Sequence, residues 1–105
     1  MDFRAKIEQG KQVGVTFSVK KEGQVLWSSV AIQKWEGVYK VYIDEVFESK
    51  IDMEEYEKDI LREFTSLDTA LSFIGQNSSA GINSLATLKG QRIFNPKFKA
   101  TDTDT

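Results

Sequence analysis

Phe3, Ala5 and Ile7 alternate with Arg4, Lys6 and Glu8, and after a break at Gly10 the residues Val13, Val15, Phe17 and Val19 alternate with Gln12, Gly14, Thr16, Ser18 and Lys20. A period of two sends successive side chains to opposite faces, so both stretches read as half-buried strands. Lys20-Lys21-Glu22-Gly23 supplies a polar turn, and Gln24 to Trp35 returns to β-rich residues, which together predict a hairpin. In that second strand both parities carry apolar residues, Leu26, Val30 and Ile32 on one and Val25, Trp27, Ala31 and Trp35 on the other. Such a strand is either central in its sheet or bulged. Glu36-Gly37 makes the next turn, and residues 38–47 set Tyr39, Val41, Ile43 and Phe47 against Lys40, Tyr42 and Asp44. Consecutive strands joined by short turns form an antiparallel meander.

From residue 52 onward two periods compete. Met53, Tyr56, Ile60, Phe64, Leu67, Leu71 and Ile74 follow steps of three and four, as in one long amphipathic helix. Tyr56, Ile60 and Phe64 also share a parity, and Thr65-Ser66-Leu67-Asp68 matches a capping box with Asp in place of Glu, the signature of a helix start. An internal cap has no purpose in a continuous helix, so the preferred reading is a strand over 57–64 and a helix over 66–75. Gly75 to Gly81 reads as a connection, Ile82 to Leu88 as a short helical turn, and Arg92-Ile93-Phe94 as a final edge segment before Asn95-Pro96. The prediction is an α+β fold: an antiparallel sheet of four or five strands with one main helix packed on one face. Residues 1–100 are expected to make one domain and residues 101–105 a disordered tail.

Composition narrows the chemistry. The 105 residues include no cysteine and no histidine. That excludes thiolate nucleophiles, cysteine-ligated metal centres, Ser-His pairs and imidazole ligands. No metal-loop spacing and no glycine-rich phosphate motif occurs, so no cofactor or metal is expected. The first residues lack a 7 to 15 residue apolar core of a secretory signal, and no run reaches the roughly 18 apolar residues of a membrane span, so a cytoplasmic location is expected.

Charge is small overall, −2, but uneven. Residues 44–63 hold nine acids and three bases, a net of −6, leaving +4 elsewhere, with Lys89, Arg92, Lys97 and Lys99 near the C-terminus. Acids around a turn are ordinarily only a solvated surface, and the carboxylates Asp44, Glu45 and Glu48 at a strand end do not by themselves make an acid/base pair. The alternative use of such a block is to steer a basic partner, because complementary fields raise association rates. On that reading Asp44, Glu45, Glu48, Asp52, Glu54 and Glu55 form a partner-binding surface. A second reading takes the sheet as a platform for single-stranded nucleic acid, with Trp27, Trp35 and Tyr39 stacking on bases. The acidic block opposes it, because such binders draw much of their affinity from basic contacts.

Two segments, Arg62-Glu63-Phe64-Thr65-Ser66-Leu67-Asp68-Thr69-Ala70-Leu71-Ser72-Phe73-Ile74 and Leu88-Lys89-Gly90-Gln91-Arg92-Ile93-Phe94-Asn95-Pro96, resemble the ends of small bacterial immunity-type proteins, cytosolic inhibitors that neutralise a toxin. The resemblance covers 22 residues and implies a class only: a small, non-enzymatic, often acidic protein whose partner is a toxin domain. It transfers no residue role.

Overall fold

The computed structural model describes residues 2–88 and 91–99; the expected tail at 101–105 lies outside them. The chain runs α1 (Phe3–Glu8), β1 (Val13–Lys21), β2 (Gln24–Trp35), β3 (Val38–Phe47), a 3₁₀ segment (Glu48–Met53), β4 (Lys58–Phe64), α2 (Leu67–Asn77), a 3₁₀ turn (Ile82–Ser84) and β5 (Ala86–Thr87). The five strands form one antiparallel sheet in the order β4-β3-β2-β1-β5. The α+β class, the meander and the main helix after the sheet are as the pattern predicts. β2 is the middle strand, in unbroken register with both neighbours, and both its faces are covered, Val30 and Ile32 on one side and Ala31 on the other, which is why both are apolar.

Both hairpin turns have two residues. Glu22 and Gly23 sit at φ 54° and 77°, Glu36 and Gly37 at 50° and 86°, between the pairs Lys21–Gln24 and Trp35–Val38. Two consecutive positive φ values define a type I′ turn, whose twist matches the strands it joins. The β3–β4 connection is longer. It passes through the 3₁₀ segment, reverses at Glu54 in a left-handed conformation, and rejoins the ladder where the Glu57 amide donates to the Glu45 carbonyl at 2.8 Å.

Three local expectations are corrected. Residues 3–8 are helix, not strand. The Asp2 carboxylate caps the Ala5 amide at 3.0 Å, Ile7 is buried, and Gly10 at φ 88° closes the helix with its amide on the Ile7 carbonyl. Phe3 and Ile7 are four apart, a spacing that satisfies a helix as well as an alternating strand. The cap of α2 is Ser66, whose hydroxyl accepts from the Thr69 amide, one residue beyond Thr65; Asp68 instead pairs with Arg4 of α1 at 3.0 Å. Residues 92–94 form no strand. β5 at 86–87, inside the stretch expected as a helical turn, takes the sheet edge, and Ile93 and Phe94 lie on the face opposite the helices.

The two faces are therefore covered differently. On one, Ile7 and the α2 residues Ala70, Leu71 and Ile74 pack over Val13, Val30, Ile32, Tyr39, Val41 and Ile43. On the other, Phe94 and Ile93 lie over Ala31, Leu61 and Tyr42. Gln12, buried, fastens that second layer: its Oε1 accepts from the Ile93 amide at 2.7 Å and the Phe94 amide at 3.3 Å, while its Nε2 lies within donating distance of the Phe94 carbonyl and of Gln33 Oε1. Gly14 lets the layer approach, since a Cβ there would stand 2.5 Å from the Val30 carbonyl oxygen and 3.0 Å from Ile93 Cδ1. Among the described residues no helix is long and apolar enough to cross a membrane.

Candidate functional site

Asp44 and Glu45 are neighbours on β3, and the pleat sends them to opposite faces. Asp44 shares the face of Phe94 and stands across from Ser29 on β2 and Asp59 on β4. The Tyr42 hydroxyl lies 3.1 Å from Asp44 Oδ2 and 2.9 Å from Asp59 Oδ1. Half-burial raises the Asp44 carboxyl above its ordinary value of 3.8 and the Asp59 charge adds to this, while hydrogen bonds from Tyr42 and Ser29 pull the other way. The same burial, with two carboxylates beside it, raises the Tyr42 hydroxyl as well. Glu45 lies on the helix face, 3.5 Å from the Ser28 hydroxyl and opposite Lys58. The Lys58 ammonium donates to the Asn77 carbonyl at 2.7 Å, at the end of α2.

The other four expected carboxylates gather where the chain turns from β3 to β4. Glu48 accepts from the Trp27 indole at 3.1 Å, Glu55 stands 4.0 Å from Lys50, and Asp52 and Glu54 are exposed. Lys50–Glu55 is the one ion pair within 4.0 Å among the described residues that involves any of the six. The structure thus brings Glu48, Asp52, Glu54 and Glu55 onto one corner and divides Asp44 from Glu45.

The same corner carries exposed apolar residues, two of which, Met53 and Tyr56, the three-and-four spacing sets on an apolar stripe. Ile51, Met53 and Tyr56 are 45 %, 58 % and 45 % exposed. The three-and-four spacing places Met53 and Tyr56 with Ile60 and Phe64, but only the latter two lie on the helix-facing side of β4. The local signal is interleaving: in Ile51-Asp52-Met53-Glu54-Glu55-Tyr56-Glu57 every apolar residue has an acid beside it, so none belongs to a run that packs inward.

The aromatic platform is also divided. Trp27 and Trp35 share the face opposite the helices, eight residues apart on β2, about 26 Å along an extended strand. Tyr39 is on the helix face, its ring 8 % exposed and its hydroxyl donating to Glu8 at 2.8 Å. That hydroxyl and the Lys34 ammonium hold the Glu8 carboxyl below its usual value. Both tryptophans are half-buried.

Comparison with protein-family models, with curated proteins and with solved structures gives no match.

Proposed function

We propose that this chain is a non-enzymatic, protein-binding inhibitor of the immunity or antitoxin type, which neutralises a basic toxin domain in the bacterial cytoplasm by docking its acidic corner. The observation that carries the reading is the exposure of Ile51, Met53 and Tyr56 among Glu48, Asp52, Glu54, Glu55 and Glu57, with Lys50 as the single base of that segment. Large apolar side chains ringed by one sign of charge suit a protein interface: the apolar groups supply the buried centre, and the carboxylates steer approach and exclude partners of like charge. Occluding a cationic active site needs shape and charge, not catalytic side chains, so a chain without cysteine or histidine is adequate to the task. Asp44 and Glu45 contribute less to such a surface, because each is half-buried within its own face.

The nucleic-acid reading has weaker support. Its three aromatics do not share a face, and the carboxylates of Glu48, Asp44 and Asp59 stand beside the two tryptophans' side of the sheet, where they repel phosphate.

The test uses the source genome. Neighbouring reading frames are expressed alone and with this chain, and growth is followed. Arrest by one of them, relieved by the wild-type chain but not by Glu54→Lys/Glu55→Lys or by Met53→Ala/Tyr56→Ala, is the expected result. No relief by the wild type, or equal relief by all three chains, contradicts the proposal.

A further inference from the structure

A cleft of about 520 Å³ opens between β3, β4 and the C-terminal layer, within the range of about 300–1,000 Å³ typical of small-molecule sites. Its walls are Leu61, Ile93, Phe94 and Phe98, with Tyr42 and Asp59 beside them. Tyr42 stacks on Phe94 with ring centres 5.8 Å apart and planes inclined by 20°. Phe98 is 62 % exposed although its backbone is fixed, its carbonyl held by the buried Lys40 ammonium at 2.8 Å and its amide by the Asn95 carbonyl at 3.1 Å. An aromatic ring held bare at the rim of a cleft offers a surface for an occupant to cover.

Charge selects the occupant. Tyr42 has one hydroxyl proton, and two carboxylates lie within hydrogen-bonding distance of its oxygen. It satisfies one of them at a time; Asp44 also accepts from Ser29, whereas Asp59 is exposed on the cleft wall, where its charge is open to a cationic occupant. Among the described residues no group of three or more acids is arranged to hold a metal ion, and the adjoining walls are aromatic and aliphatic, which suits an organic cation. Lys99, the one base among the residues that line the cleft, makes no ion pair among the described residues, and its charge opposes a cation there.

We propose that the cleft between Tyr42, Asp59, Phe94 and Phe98 binds a small organic cation with a flat apolar body, an arylammonium or arylamidinium, its charged end on the carboxylates and its body between the rings. The site shares no residue with the acidic corner, so the two proposals fail separately.

The probe is benzamidinium, titrated into the full chain and followed by amide NMR shifts. Saturable shifts at residues 42–44, 59–61 and 93–99 are expected, with neutral benzamide at least about tenfold weaker. Asp59→Asn should weaken the probe by about tenfold. Phe98→Ala should weaken it without moving the thermal midpoint, because the ring is exposed, and Lys99→Met should tighten it. No saturable shifts, equal binding of benzamide, or an unchanged Asp59→Asn overturns the proposal. A blocked arginine amide that binds more tightly than benzamidinium also overturns it, by assigning the cleft to a protein side chain.

Discussion

Single positions on the sheet carry consequences out of proportion to their size. Gly14 is the clearest: a methyl group there meets backbone at 2.5 Å and the underside of Ile93 at 3.0 Å, so the strand or the C-terminal layer must move. Gly14→Ala is expected to lower stability by about 2 kcal/mol, read from urea midpoints, whereas an alanine at Gly81, which is open and has no positive φ, would do little. Asp44 tests the electrostatics of the opposite face from the helices. Its carboxyl titrates above 3.8, chiefly because it is partly buried, so the folded chain holds a proton that the unfolded chain gives up earlier. The stability that goes with that proton is present below 3.8 and is lost as pH rises through the folded value. Asp44→Asn should therefore be more stable than wild type at neutral pH, with the gain shrinking on acidification to below 3.8. An advantage that grows on acidification would show that the carboxylate, not the acid, is the form the fold prefers.

At the scale of elements, the two type I′ turns and the Gln12 clamp set the architecture. Glutamate is not the residue such a turn favours, because its side chain strains the left-handed region that asparagine and glycine tolerate. Glu36→Asn is expected to stabilise the chain by about 0.5 kcal/mol, visible as a higher thermal midpoint. Gln12→Ala removes the acceptor of two buried amides and should cost about 2 kcal/mol, with amide exchange accelerating at Ile93 and Phe94 before the strands. These elements differ in how far the sequence reveals them. Strands β1 to β3 are legible because alternation is a direct image of the pleat, and Glu22-Gly23 and Glu36-Gly37 punctuate it. Helix α1 is not, since Phe3 and Ile7 over six residues satisfy both periods. The course of residues 92–94 is hidden for another reason: it is fixed by a side chain 81 residues away, a pairing that no local pattern contains.

Across the whole molecule, the acids divide by the pleat and by the turn. Their number between residues 44 and 63 is plain in the sequence, but strand parity separates Asp44 from Glu45, and the β3–β4 connection collects the remaining four expected carboxylates with Ile51, Met53 and Tyr56 at one corner. The three-and-four spacing hides the exposure of Met53 and Tyr56, because it also fits burial. One face of the sheet is closed by the helices and the other is partly closed by the C-terminal layer, while the corner leaves Ile51, Met53 and Tyr56 bare among carboxylates. Amide hydrogen exchange of the chain, alone and with the toxin domain found by the growth assay, tests this most directly. Protection concentrated in residues 48–57 is the result expected from docking through the corner. Protection confined to the Trp27 and Trp35 face, with residues 48–57 exchanging as in the free chain, would contradict it.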